Sequence, residues 1–419
     1  MMPSASAISI PLIIQQHAQE SAFLRSMRST LVAAPHVKLH HLRRLDDRLA
    51  AHLDGLAIAG EEGWRLCEAA LETPGVGEIF AAAVRAIDEK HTQRLEKLLA
   101  LAEALPESQR GLISAFGWVS REHLQGTAKE LLDSPSPFRR RVGIACCAMH
   151  FVTGHQALVA AINDADAELG ARALRAAGEL GSRDVLTMCQ RRLDDENATC
   201  RYWAARSAIL LGDRNRAIAV LKPNSSPFRE RALQLVLTAM ELKDAHAMLQ
   251  GLSRDQADLR SLIRGSGVAG DPTYVPWLIK HMLDVKTARL AGESFSLITG
   301  VDPAYDSLER EPPDGFEPGP NDNPADGDVA MDPDDNLPWP DPEKIRAWWE
   351  ANKSRFQPGI RYFMGEPVNR ANCLKVLKEG YQRQRIAAAL YLSLLQPGTP
   401  LFNTSAPAWR QQRWLSKLV

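Results

Sequence analysis

One feature constrains this chain more than any other: it repeats itself. The segments FRRRVGIACCAMHFVTGH (Phe138–His155), LGARALRAAGELGSRD (Leu169–Asp184) and CRYWAARSAILLGDRN (Cys200–Asn215) fall under one another. FRERALQLVLTAMELKDAH (Phe228–His246), LRSLIRGSGVAGDPTY (Leu259–Tyr274) and TARLAGESFSLITGVDP (Thr287–Pro303) continue the series. A turn position recurs at His150, Gly181, Gly212, Leu242, Gly270 and Gly300, a period of about 30 residues. Each repeat supplies a polar Asp-containing turn, a small-residue helix rich in Ala, Leu and Arg, then a glycine and a second helix. Ala and Gly at contact positions let helices approach closely, so that one pair stacks on the next. A single repeat of this size cannot bury its own apolar face, whereas an array can. The pattern predicts an all-α fold, an α-solenoid of helix pairs.

The flanks divide the rest. Residues 1–107 read as a helical head: Leu39, Leu42, Leu45, Leu49 and Leu53 fall at spacings of three and four, one apolar stripe among charged neighbours. A second helix near Glu61–Glu72 carries Trp64, Leu66 and Leu71, and Gly75–Val76–Gly77 leads into Phe80–Ala86. The array occupies 108–300. Across 301–341 the composition changes abruptly, with many prolines and thirteen carboxylates against the single basic residue Arg310. Proline removes helix donors and dense charge opposes collapse, which predicts an extended or mobile loop. The whole chain is formally at −1, so the remainder carries about +11. Helical pattern resumes in 342–419, with Asp341 as N-cap and Pro342 just inside the helix. Ile345, Trp348, Trp349 and Phe356 follow, then a helix pair at Asn369–Glu379 and Arg383–Leu395. The tail Leu401–Val419, with Trp409 and Trp414, is expected to cap the array's exposed apolar end.

Apolar residues make up 45% of the 419, enough for a large core. The near-zero net charge gives no global pull toward nucleic acid or acidic lipid. The six cysteines (Cys67, Cys146, Cys147, Cys189, Cys200, Cys373) form no CxxC pair and no disulfide framework, which points to reduced thiols in a cytoplasmic protein. Ile8–Ile14 is apolar but has no basic region before it and stops at Gln15–Gln16–His17, unlike a signal peptide. No apolar run approaches the roughly 20 residues that span a bilayer.

The segments Phe138–Ala148, Leu169–Gly181 and Cys200–Gly212 resemble HEAT-like repeats of the type found in phycobilisome lyases. HAQESAFLRSMRSTLVAAPHVKLHHLRRLDDRLAAHLDGL near the start and PLFNTSAPAWRQQRWL near the end resemble an uncharacterised bacterial HEAT-repeat family. That family is often encoded among type VI secretion genes. The resemblance implies a secretion-linked setting but brings no activity and no functional residues.

Enzymes on such folds carry recognisable motifs. A diiron hydroxylase of this fold needs His-Glu dipeptides on facing helices, and the sequence has none. His150, His155, His246 and His281 lie in different repeats without a repeated carboxylate neighbour, which reads as turn or surface histidines. Asp194, Asp195, Tyr202 and Trp203 could be fitted to a helical-repeat DNA glycosylase, yet they fit a repeat turn equally well. GSGVAG (Gly265–Gly270) lacks the preceding strand of a phosphate loop and reads as close helix packing or a helix break. GxxxxGK[ST], GxSxG and HExxH are absent. No catalytic residue, cofactor or metal site is expected.

The arginines remain. Arg139, Arg140, Arg172, Arg175, Arg201, Arg206, Arg229, Arg231, Arg260 and Arg264, with Trp203, recur near the same helix of each repeat and would align along one face. At least half should pair with turn aspartates such as Asp133, Asp164, Asp166, Asp194 and Asp284, locking repeat to repeat. The surplus would line a positive groove, filled either by the acidic insert folding back or by an acidic partner protein. The sequence therefore predicts a non-catalytic protein-interaction scaffold, adaptor or chaperone, whose partner is another protein such as a secretion component or effector, with no membrane or nucleic acid. The alternatives are a bilin-lyase-like ligand-binding enzyme and a DNA-binding helical-repeat protein.

Overall fold

The computed structural model describes residues 10–221, 228–316, 319 and 331–418. Among these residues it is all-α but for one two-stranded hairpin. The chain forms two compact units, one comprising the chain up to Ser207 together with Gly398 onward, the other Ala208–Pro397.

The first unit opens with α1 (Pro11–Leu31), α2 (Leu39–Ile58), α3 (Gly60–Ala70), α4 (Val76–Asp88), α5 (Thr92–Ala104) and α6 (Gln109–Trp118). The leucine stripe of α2 is buried as its spacing requires, from Leu39 to Leu53, and Leu56 extends it. Each such leucine contributes about 1.5–3 kcal/mol on burial. The strongly apolar α4 is buried nearly all round and packs on α1 and α6. The chain continues with α7 (Thr127–Leu132), α8 (Pro137–Met149), α9 (His155–Ile162), α10 (Ala167–Leu180), α11 (Leu186–Arg191) and α12 (Ala198–Leu211).

The repeat has a local cause. Ser136 Oγ accepts from the Arg139 N–H, Asp166 Oδ1 from Leu169, and Asn197 Oδ1 from Thr199 and Cys200, so α8, α10 and α12 each start on a side-chain cap. They end as predicted too. Gly181, Gly212, Gly270 and Gly300 all have positive φ, the left-handed stop that glycine takes without steric cost. In the first repeat Phe151, next to His150, takes that conformation. At Leu242 the pattern differs: α14 ends in extended Met240 and Leu242 starts the next helix.

Helix contacts run through small residues. Ser207 Oγ accepts from the Gly178 N–H at 3.2 Å and donates to the Leu174 carbonyl at 2.6 Å, entering the hydrogen-bond ladder of α10. A Cβ at Gly178 would lie 2.5 Å from that oxygen.

The second unit contains α13 (Arg216–Leu221), α14 (Arg229–Ala239), α15 (Leu242–Leu252), α16 (Leu259–Ala269), α17 (Val275–His281) and α18 (Ala288–Thr299). GSGVAG forms the end of α16: Gly267 rests on Ser294 of α18 and Gly270 stops the helix. The acidic segment follows, and its two arms are pinned. The Arg310 N–H donates to the Trp339 carbonyl and the Asp341 N–H to the Leu308 carbonyl, while Leu337 and Trp339 are buried. Arg289 of α18 lies 4.9 Å from the Phe316 ring and 4.6 Å from the Trp339 ring, and Nη2 donates to Asp332 at 2.5 Å. Residues 317–318 and 320–330, the rest of the predicted loop, lie outside the described residues.

Asp341 caps α19 (Pro342–Asn352) through the N–H groups of Glu343 and Lys344, as its sequence predicts. A hairpin of β1 (Tyr362–Phe363) and β2 (Glu366–Pro367) leads to α20 (Arg370–Glu379) and α21 (Gln382–Leu395). Arg361 donates to the carbonyls of Leu237, Thr238 and Met240, closing the C-terminus of α14.

The tail carries α22 (Ala408–Leu415), but its docking surface differs from the one expected. It packs on the first unit, across the C-terminal ends of α10, α8 and α6. The Leu401 N–H donates to the Glu179 carbonyl, Trp414 meets Phe151 edge-on at 4.8 Å, and Arg410 donates to the carbonyls of Gly117, Trp118 and Val119. Trp409 meets Trp118 at 4.6 Å. The orphan carbonyls at the ends of α10 and α6, and the aromatic surface beside them, account for this destination.

Candidate interaction face

Most of the arginines singled out by the repeat are committed to the architecture. Arg139 pairs with Glu96 at 2.6 Å and Glu103 at 3.8 Å. Arg140 bonds the carbonyls of Ser134 and Pro135 and reaches Asp164 at 2.8 Å, a turn aspartate of the next repeat. Arg201 donates in the same way to the carbonyls of Asp195 and Glu196. In the second unit Arg229 pairs with Asp258, Arg264 with Glu230 at 3.1 Å, and Arg260 with Asp334 at 2.5 Å and the Lys286 carbonyl. Asp334 lies on an arm of the acidic segment, which thus occupies one arginine of the series. Arg231 is exposed.

The four remaining positions converge. Arg172, Arg175 and Glu179 sit at i, i+3 and i+7 on α10, one face of the helix. Trp203 and Arg206 sit at i and i+3 on α12. Arg172 Nη1 is 3.0 Å from Glu179 Oε2, and Arg175 Nε is 2.6 Å from Oε1. The Arg175 and Arg206 guanidinium carbons lie 4.8 and 5.4 Å from the Trp203 ring centre, so two cations flank one indole. Burial alone would raise the Glu179 pKa, but Arg172, Arg175 and Arg206 together hold it at about 2. Burial lowers that of Arg172, and Glu179 opposes the shift. Within the cluster three guanidiniums face one carboxylate. The Arg175 side chain is 47% exposed, against 14% for Arg172, so Arg175 is the arm presented to solvent.

Glu179 was missed in the sequence, although its i+4 spacing from Arg175 is a legible signal. Arg289 was missed as well, because its partners lie in the acidic segment. The histidines take structural places: His150 Nε2 lies 2.7 Å from the Phe116 carbonyl, His155 pairs with Asp184, His246 with Asp271, and His281 packs on Trp277. All six cysteines are buried, and burial pushes the Cys146 and Cys189 thiols up to about 12. Among the described residues no three His, Cys, Asp or Glu side chains gather to hold a metal ion, and no helix is long and apolar enough to cross a membrane.

Residues 156–238 match the HEAT repeats family. That stretch carries HEAT-like repeats. The matched stretch contains α10 and α12 whole, and with them the arginine–tryptophan cluster. Comparison with curated proteins and with solved structures finds no match. HEAT repeats commonly serve as protein-interaction scaffolds, and the helical repeat fold is typically non-catalytic.

Proposed function

We propose that this HEAT-like protein is a non-catalytic interaction scaffold or adaptor that docks a partner protein on the α10–α12 face. The observation that carries this reading is the pair of guanidiniums on the Trp203 indole, of which Arg175 is nearly half exposed. Arginine and tryptophan dominate binding energy at protein interfaces, because they combine large contact area with directed donors. The face stands on two helices held together by the Gly178–Ser207 contact. The dent between α8, α9 and α10, lined by Ile144, Cys147, Leu158 and Ala176, has a volume of about 10 Å³, room for a single water and not for a tetrapyrrole. The finer reading makes the partner a cytoplasmic secretion-system component or effector, and it rests on the resemblance of the chain's two ends alone.

The test is affinity capture from the native host with the wild-type chain, Arg175→Glu and Trp203→Ala in parallel. A protein retained by the wild type and lost from both variants supports the reading. An identical set of captured proteins in all three removes this face from consideration.

A further inference from the structure

We propose that Arg25 of α1 and Arg110 of α6 form a binding site for a phosphate monoester on the helical head. The inference goes beyond the scaffold reading and uses none of the residues of the α10–α12 face. Arg25 and Ser29 stand at i and i+4 on α1, and Arg110 and Ser114 at i and i+4 on α6, so each pair shares one helix face. Arg25 joins the two. Its Nε donates to Ser114 Oγ at 2.9 Å and its Nη1 to Ser29 Oγ at 2.5 Å, while its Cζ lies 5.4 Å from the Phe80 ring centre. Both hydroxyls give their own proton to backbone carbonyls, Ser114 to Gly111 at 2.7 Å and Ser29 to Arg25 at 3.4 Å, so they meet the guanidinium with lone pairs. The guanidinium plane is thereby fixed, with Nη2 left over for a further acceptor.

A half-buried guanidinium ordinarily faces a carboxylate or a set of backbone carbonyls. Arg28 has Asp46, and Arg410 has three carbonyls at the end of α6. Arg25 has neither among the described residues, only the two hydroxyls. Burial, then the charges of Arg28 and Arg110, push its pKa down to about 10, with no carboxylate to offset them. Arg28 is neutralised by Asp46, so the charge left over is that of Arg25 and of the exposed Arg110. Two cations at one point suit an anion of charge near −2. A phosphate monoester carries about that charge at neutral pH and presents three acceptor oxygens. A carboxylate or a nucleic-acid phosphodiester brings a single charge, and a nucleic-acid strand takes a run of cations that two arginines do not supply. Guanidinium forks match phosphate oxygens in geometry as well as in charge.

Calorimetric titration of the full chain with inorganic phosphate at constant ionic strength provides the test, with acetate as comparison. Phosphate is expected to bind at least about tenfold tighter than acetate, and Arg110→Gln to weaken it by about tenfold through loss of a charge-assisted hydrogen bond. Arg25→Gln should do the same, whereas Arg191→Gln, an exposed arginine of α11, should leave the affinity unchanged. No phosphate binding, affinity no better than that for acetate, or an equal loss in Arg191→Gln overturns the proposal. Should Arg25→Gln lose its helical circular dichroism, Arg110→Gln decides: weaker phosphate binding supports the proposal and unchanged binding overturns it. A short phosphoserine peptide then separates the sources of the group. Tighter binding of the peptide than of inorganic phosphate assigns the site to a phosphorylated polypeptide, and binding no tighter assigns it to a free phosphate compound, both in support of the site.

Discussion

Arg28 and Asp46 form a buried two-pronged ion pair, Nε to Oδ1 at 2.6 Å and Nη2 to Oδ2 at 3.2 Å, and the C-terminal segment hangs on it. Arg28 also donates to the carbonyls of Ser405 and Ala406 at 2.9 Å, and Asp46 accepts the Ala408 N–H at 2.7 Å. Residues 362 to 378 positions apart in sequence are thus joined through one pair of charges. Arg28→Ala or Asp46→Ala leaves a buried charge without its partner and is expected to cost about 3–5 kcal/mol. Replacing both by apolar residues, Arg28→Met with Asp46→Leu, should cost less than the two single changes summed. Urea unfolding of the three variants checks this; strict additivity would show that the pair does not act as a unit.

Arg410 satisfies three carbonyls at the end of α6. Arg410→Ala is expected to destabilise the first unit by about 1.5–3 kcal/mol, the range for hydrogen bonds to a charged group. Amide hydrogen exchange should quicken first at the end of α6 and in the tail. Exchange that quickens uniformly across the chain would contradict a local capping role.

Protonation should loosen the first unit in mildly acid solution. Burial lowers the pKa of His150, which lies against the Phe116 carbonyl, and it also lowers those of His41 and His52 in α2. The folded state then binds fewer protons than the unfolded chain below the ordinary histidine value near 6.5, so stability is fullest above it and falls as pH drops through the folded values. Denaturant midpoints measured from pH 7.5 to 5 should fall in the wild type and fall less in His150→Gln. Glu179 acts in a lower window: held at about 2 against an ordinary 4.5, it gives stability above the latter that is lost toward the former.

Ser207→Ala removes the hydroxyl inserted into α10 and is expected to cost about 1 kcal/mol. Gly178→Val drives a side chain into Ser207 and should cost more, about 1–3 kcal/mol, by forcing α10 and α12 apart. Thermal unfolding compares the two, and a Gly178→Val protein as stable as Ser207→Ala would refute close packing at this point.

How much could be read in advance follows the range of each interaction. The leucine stripe of α2, the left-handed glycines that end α10, α16 and α18, and the Asp341 cap are set by residues within a turn or two of each other. Their spacing in sequence is their geometry, which is why they were legible. Arginine pairing was legible only as a class. Arg140 does find Asp164 in the next repeat, but Arg139 takes two glutamates of the head and Arg260 takes Asp334 in the acidic segment. No periodicity distinguishes these partners, because several carboxylates lie at comparable distances along the chain.

The amino-acid sequence by itself determined the helices, their caps and the repeat that stacks them, since each depends on short-range dihedral preference and on the period of apolar burial. Tertiary structure alone decided that the tail returns to helix ends far back in the chain, and that Arg172, Arg175 and Arg206 gather on Glu179 and Trp203 while Arg139, Arg140, Arg229, Arg260 and Arg264 pair with carboxylates elsewhere. Those outcomes depend on which side chains from distant positions meet, and charge pairing in a folded protein is settled by the packing that brings the groups within reach.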